Sequence, residues 1–247
     1  MTASTHEKAP LPRWEGTGSA GCAVLLAALV AAPLLLAVAV ARLTSAGDLT
    51  AAHLTLVLAA VAAADLLSGI VHWAADTWGS EEWPVVGLRV LRPFRLHHVN
   101  PADLLRRSFV DCNGDVAVLA AAVTLGAMTL PAHAEPWRSI GVFLLALAAW
   151  TLPVNQVHQW AHDPNPPALV RWLQRHRLVL GRADHAVHHE APYSAHYCIL
   201  TGWWNRPLAA VAFFPRLERA IARVTGLRPR DEDEAFAAEH LGTAESA

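Results

Sequence analysis

Eight of the chain's 14 histidines fall into four short groups: His72, His97 with His98, His158 with His162, and His185 with His188 and His189. Residues four apart on a helix project from one face, one turn apart. His158 and His162 can therefore hold one metal ion together, and His72 can do so with Asp76. His185, His188 and His189 form an i, i+3, i+4 set. The neighbours His97 and His98 point about 100° apart if helical, which suits two different ions, or one ligand and one partner that orients it. Zinc sites commonly take four ligands and octahedral metals six, so eight imidazoles with carboxylate help point to two ions. A nitrogen and oxygen set without thiolate fits iron, zinc or manganese.

Every group lies beside or just outside a long apolar run. The chain has 247 residues, is 54% hydrophobic and only 16% charged. A bilayer core of roughly 30 Å needs about 20 helical residues to cross. The runs at 22–43, 49–71, 114–131 and 140–157 predict four spans, the third short and starting near Asn113. The connections at 44–48 and 132–139 are brief, so the spans come as two antiparallel hairpins. The long stretches at 74–112 and from Gln159 onward then share one side. The fold class expected is an all-α integral membrane protein, with four transmembrane helices in two hairpins and a helical, histidine-rich cap. A tail at 1–21 precedes the membrane domain at 22–227, and the acidic, alanine-rich segment at 228–247 reads as disordered.

Arginine placement sets the orientation. Arg89, Arg92, Arg95, Arg106 and Arg107 lie in the middle loop, Arg171, Arg175, Arg177 and Arg182 follow the fourth span, and Lys8 and Arg13 precede the first. The positive-inside rule puts the histidine groups and both termini in the cytoplasm, in a bacterial inner membrane or its equivalent. A cleaved signal peptide is the rival reading of the first run, but the run is long for one. Of the other histidines, His53 and His133 fall at the far face, His6 and His240 in the tails, and His176 and His196 near enough to be reserves.

A single His-x3-His pair at a membrane surface is often structural; four groups gathered on one side, near lipid, mark a functional site because polar groups are costly there. Asp65 shares a stripe of the second span with His72 and Asp76, about 10 Å deeper than His72. It reads either as an acceptor orienting a ligand histidine or as a helix-helix hydrogen bond. Arg89, Arg92, Arg95, Arg106 and Arg107 can hold a lipid phosphate as well as set orientation, with Arg95, Arg106 and Arg107 the headgroup candidates. Trp73, Trp78, Trp83, Trp160, Trp172, Trp203 and Trp204 read as an interfacial belt. The stretch at 216–223 suggests an amphipathic surface helix. Gly16, Gly18 and Gly21 match a dinucleotide fingerprint by letters, but no strand precedes them. Cys22, Cys112 and Cys198 are too few and scattered for a disulfide framework. A net charge of -2 without a basic stripe excludes nucleic acid.

Four strings carry a resemblance: Gly69-Ile-Val-His-Trp-Ala-Ala-Asp-Thr-Trp-Gly79, Phe94-Arg-Leu-His-His-Val-Asn-Pro101, Asn155-Gln-Val-His-Gln-Trp-Ala-His162, and the long run from His188 to Asn205. With the Asn113-Gly-Asp115 triplet, they closely resemble the plasmanylethanolamine desaturase family over roughly 64–208. The resemblance implies an enzyme that inserts a 1,2 double bond into the O-alkyl chain of an ether phospholipid, giving the vinyl ether of a plasmalogen. It implies two iron ions, O2 as co-substrate, and electrons from separate cytochrome b5-like or ferredoxin-like proteins with a reductase. The implied metal ligands are His72, Asp76, His97, His98, His158, His162, His185, His188 and His189. Two positions depart from the family pattern, Asp184 and Tyr193 standing where it has histidine, which makes Asp184 and His196 additional candidates. Iron fits this chemistry where redox-inert zinc does not, since a ferrous pair can reduce O2 and remove hydrogen from an unactivated alkyl carbon. Three alternatives stay open: a desaturase of an ester-linked acyl chain; a membrane metal transporter, whose ligands would line a midplane path; and a haem-binding electron carrier, which would pair histidines on facing spans at haem depth.

Overall fold

The computed structural model describes residues 16–190 and 192–230; all but the first three residues of the acidic tail expected at 228–247 and most of the N-terminal tail lie outside them, as do His6 and His240. In chain order the helices are α1 (Ser19–Ser45), α2 (Ala51–Thr77), α3 (Arg92–Val99), α4 (Phe109–Met128), α5 (Trp137–Thr151), α6 (Val154–His162), α7 (Ala168–Arg175), α8 (Arg182–Ala186), α9 (Asn205–Ala210) and α10 (Phe213–Thr225). No strand occurs among the described residues. A π-helical turn, Gly87–Leu91, leads into α3, and a 3-10 helix, Pro101–Arg106, follows it.

Four stretches are long and apolar enough to cross a bilayer: α1, α2, α4, and α5 with α6 taken together over Trp137–His162. The protein is an integral membrane protein. At 27 residues α2 is about 40 Å long, more than a hydrocarbon core requires, so its last turns stand clear with His72 and Asp76 on them. The fourth span was expected to stop at Val157; instead it breaks at Leu152 and Pro153 and resumes as α6 through His162. Proline cannot donate the backbone bond that would continue α5, and its fixed φ starts the next helix.

The two hairpins interlock. α1 packs along α4 and α2 along α5, with α4 against α5 between them. Small residues permit the close approach: Ala32, Ala117, Ala120 and Ala148 are all buried at their crossing. A Cβ on Gly114 would meet the Leu25 side chain at 2.5 Å, so glycine sets the spacing of α1 and α4. The opposite faces carry Val30, Leu34, Leu54, Leu58 and Leu125, all exposed, as a lipid-facing surface requires.

The segment at 197–204 is not helical and runs back along α2. The Ile199 N–H donates to Ser68 Oγ at 3.0 Å, the Thr201 N–H to Asp65 Oδ1 at 2.7 Å, and Trp204 Nε1 to the Ala62 carbonyl at 2.9 Å. From His72 to Ala62 this follows about 15 Å of α2. Irregular backbone beside an apolar helix must find partners inside the protein. Asp65 supplies most of them, accepting also from the Gly202 and Trp204 N–H groups, while Asn205 both accepts from Cys198 N–H and donates to its carbonyl. Asp65 is therefore neither a ligand-orienting group nor a helix-helix bond; it clamps a loop 136 residues away. Of the tryptophans expected in an interfacial belt, Trp83, Trp172 and Trp203 are exposed and Trp73 is not. Trp73 is buried, donating to Glu218 of α10 at 2.7 Å and packing on Phe214, and Trp203 and Trp204 give their indole N–H groups to backbone carbonyls. The surface stretch at 216–223 lies within α10, whose Phe214 is buried against Trp73 and Tyr197.

Candidate metal centre

Four helices bring the site residues together. α2 presents His72 and Asp76, α3 His97 and His98, and α6 His158 and His162; α8 with the turn after it presents His185, His188 and His189. They sort into two clusters. One holds His97, His158, His162, His185 and His189, the other His72, Asp76, His98 and His188, and within each a donor atom from every residue lies within 4.8 Å of all the others. The adjacent pair His97 and His98 divides between the clusters, as their angular separation on α3 allows. The triad after α8 also divides, His185 and His189 one turn apart on one side and His188 on the other.

In the five-histidine cluster the Nε2 atoms face one another. His185 Nε2 lies 2.9 Å from His158 Nε2, 2.7 Å from His162 Nε2 and 3.1 Å from His189 Nε2, while His97 Nε2 is 3.0 Å from both His158 Nε2 and His189 Nε2. A ring nitrogen carries at most one proton, and a single N–H cannot serve three partners. Hydrogen bonding alone leaves this arrangement unsatisfied; a cation at the centre would receive every lone pair. In the second cluster Asp76 Oδ2 sits 3.3 Å from His72 Nε2, 3.4 Å from His98 Nε2 and 3.5 Å from His188 Nε2. The donor chemistry of both clusters thus fits a metal ion.

The outer ring nitrogens are held from behind. His72 Nδ1 pairs with the Tyr197 carbonyl at 3.0 Å and His188 Nδ1 with that of Ala195 at 2.9 Å. With the proton fixed on Nδ1, each Nε2 lone pair faces the cluster. Burial, and next the charge of neighbouring imidazoles, holds His97, His185 and His188 well below the ordinary histidine range and pushes His189 down to about 2. These rings are neutral at pH 7 and available as ligands.

Other sequence candidates lie elsewhere. Asp184 precedes His185 by one residue and so points away from it, meeting Arg206 at 3.3 Å. His196 bonds through Nδ1 to the Asp184 carbonyl, and neither residue joins a cluster. Tyr193, the second departure from the family pattern, stacks on His98 with ring centroids 5.0 Å apart. Arg95 is turned inward to the Gly79 carbonyl and Glu81, locking the loop after α2, and Arg106 is exposed.

Of the arginines that could hold a lipid phosphate, Arg89 and Arg107 line a cavity of about 240 Å³ that reaches His97 and His158. Val71 of α2 and Val116 and Leu119 of α4 form its apolar wall, and Val71 and Leu119 are also exposed on the outside of the bundle. Its polar lining holds Arg89, which the sequence already marks as able to hold a lipid phosphate, and Asp111, Asp115 and Asn155, which it does not mark as site residues. The signal available was Asp111 and Asp115, two carboxylates four apart at the head of an apolar run. A second opening of about 490 Å³, lined by Leu105, Pro164 and Arg182, reaches His162 and His189, the two members of the five-histidine cluster that are only half-buried.

The lipid desaturase domain profile matches residues 61–232. The chain belongs to the lipid desaturase family. The match begins within α2 and includes both clusters, leaving α1 outside. A plasmanylethanolamine desaturase of Myxococcus xanthus is 46% identical over 180 residues, 73% of this chain and 64% of that protein. Plasmanylethanolamine desaturase 1 of Mus musculus is 39% identical over 186 residues, 72% of this chain and 68% of that protein. The chloroplastic fatty acid desaturase 4 of Arabidopsis thaliana is 37% identical over 174 residues, 69% of this chain and 52% of that protein. The aligned part of this lipid desaturase family chain thus spans under two thirds of the Myxococcus protein. No solved structure matches the chain.

Proposed function

We propose that the protein is an O2-dependent membrane lipid desaturase that forms the vinyl ether bond of plasmalogens from a plasmanylethanolamine. The single observation that carries this reading is the pair of histidine clusters, one of which borders a cavity with an apolar wall through His97 and His158, in a chain 46% identical to a plasmanylethanolamine desaturase. Two iron ions are the proposed cofactor, one held by His97, His158, His162, His185 and His189, the other by His72, Asp76, His98 and His188. Bound there, iron supplies O2 reduction and hydrogen removal from the alkyl chain. The balance is complete: the two carbons lose two hydrogen atoms, a separate carrier chain provides two electrons with two protons, and O2 leaves as two waters.

The chain's own residues set the geometry. Val71, Phe94, Val116 and Leu119 line the route by which an alkyl chain reaches His97 and His158, and they exclude water from it. Tyr197 and Ala195 carbonyls fix the tautomers of His72 and His188. Carrier proteins of cytochrome b5-like or ferredoxin-like type approach from the cap, which we place in the cytoplasm with both termini, on the bacterial inner membrane or its equivalent. Residues 22–227 form the single functional domain in this reading.

Expression in a host that lacks plasmalogens, followed by lipid mass spectrometry and metal analysis, tests the proposal. Acid-labile vinyl ethers and about two irons per chain are the expected result; an unsaturated fatty ester in their place would favour the second reading, an acyl desaturase, to which the 37% identity with fatty acid desaturase 4 lends support. A transporter would move metal without altering any lipid.

A further inference from the structure

The cavity that ends at His97 and His158 has a charged end that the metal chemistry does not use. Arg89 and Arg107 stand there with Asp111 and Asp115. Arg89 makes a two-point pair with Asp115, Nε to Oδ1 at 2.8 Å and NH2 to Oδ2 at 3.1 Å, and its NH1 donates to Thr17 Oγ1 at 3.0 Å. Arg107 donates to the Pro93 carbonyl at 3.2 Å and lies 3.4 Å from Asp103. Asp111 accepts from the Ser108 hydroxyl at 2.7 Å. Asp111 and Asp115 lie one turn apart on one face of α4, within about 10 Å of its start.

We propose that this end of the cavity is the binding site for a zwitterionic phosphoethanolamine headgroup, with Arg107 and Arg89 taking the phosphate and Asp111 and Asp115 the ammonium. The inference rests on the desaturase reading. In a lipid whose reacting carbons are the first two of an ether-linked chain, only the glycerol unit separates phosphate from the site of oxidation. Headgroup and metal must then share one cavity, and this one is lined both by the charged groups and by His97 and His158. A mid-chain desaturase has no such need. The charges also choose between headgroups: the two cations and two carboxylates of the lining offer partners to both charges of a zwitterion, and Asp103 beside Arg107 adds a further negative charge, so an anionic phosphoglycerol or phosphatidate would face carboxylates with no ammonium to offer them. Planar guanidinium groups suit phosphate oxygens, and carboxylates suit a primary ammonium.

The experiment uses the full-length, iron-loaded enzyme in nanodiscs containing 1-O-alkyl lipids that differ only in headgroup (ethanolamine, glycerol, or none beyond the phosphate), with O2 and an NADPH-driven reductase and its reduced ferredoxin or cytochrome b5 supplying the electrons. Turnover is read as vinyl ether, and binding is read separately by native mass spectrometry of lipid competition without O2. The wild type is expected to favour the ethanolamine lipid by tenfold or more in both readouts. Asp111→Asn and Asp115→Asn should each raise KM for that lipid several-fold with kcat nearly held, and should bring the phosphoglycerol lipid level with it. Arg107→Gln should raise KM for all three alike. Because Asp115 also steadies Arg89, Asp111→Asn is the variant that decides, with iron content certifying its fold. Unchanged headgroup selectivity in Asp111→Asn, or a wild type indifferent to headgroup in the binding arm, overturns the proposal. A wild type that makes no vinyl ether from any lipid overturns the desaturase reading instead, and the binding arm still reports on the headgroup site.

Discussion

Replacing His98 with alanine removes a donor from the cluster of four and none from the cluster of five; replacing its neighbour His97 does the reverse. Each variant is expected to fall from about two irons per chain to about one, and to lose more than the roughly 10- to 100-fold that follows loss of a group merely orienting a ligand. Metal analysis beside a vinyl ether assay checks this, and loss of both ions from each variant would mean that the clusters do not bind independently. Asp65→Ala acts differently. It strips three backbone N–H groups of their acceptor, at about 1–3 kcal/mol for a buried donor left unsatisfied, so it should lower the denaturation midpoint while iron content at low temperature is unchanged. The nine residues of the clusters were legible in the sequence because histidine is rare beside lipid and its local spacings, i to i+4, are those of a helix face. The role of Asp65 was not. A buried carboxylate announces that it needs partners, but those partners come from a loop far along the chain, which periodicity cannot foretell. Asp184 was drawn in because it stands where the family pattern has histidine, and His196 by its nearness to Tyr193; the one-residue step from His185 to Asp184, about 100° around α8, turns the carboxylate off the cluster face.

At the scale of elements, α2 and the 197–204 segment depend on one glycine. A Cβ on Gly69 would sit 2.4 Å from Cys198 Sγ and 3.2 Å from the Cys198 backbone nitrogen. Gly69→Ala should therefore push this segment off α2, costing about 1–3 kcal/mol as overpacking does, despite alanine's better helix propensity. Since the Tyr197 carbonyl holds His72 from that segment, the variant should also weaken iron binding, most in the cluster of four. Adding Cys198→Ala removes the nearest atom and should recover part of both losses; a double variant no better than Gly69→Ala would locate the defect elsewhere. Element existence was plain from the apolar runs, while element ends were not. α2 continues to Thr77 and the fourth span to His162 because the cap, rather than lipid, receives the last turns, and hydropathy registers only lipid. The charged loop between α2 and α4 hides its order for the same reason: α3 buries Arg95, His97 and His98 against other polar groups.

For the whole molecule, the two clusters are the point where otherwise separate parts of the fold meet. α1 packs on α4 and α2 on α5 through apolar and small side chains, contacts that need no ion. The cap differs. α3, α6 and α8 converge through imidazoles whose Nε2 atoms crowd one another, and without a cation the lone pairs that a metal would accept are set against each other. Metal binding should thus be worth much of the cap's stability and little of the bundle's. Removing iron with a chelator is expected to raise amide hydrogen exchange over 92–106 and 182–200, where ligands and the backbone behind them reside, and to leave α1 and α4 protected as before. Restoring ferrous ion should reverse the change. Exchange that rises equally in α1 and α4 would show that the ion organises the whole membrane domain, and exchange that rises nowhere would mean the cap is fully formed by its protein contacts. The expected pattern follows from a division of labour in the sequence: lipid-facing apolar runs suffice to assemble the spans, whereas the polar segments between them gain their fixed order only by gathering around a charge.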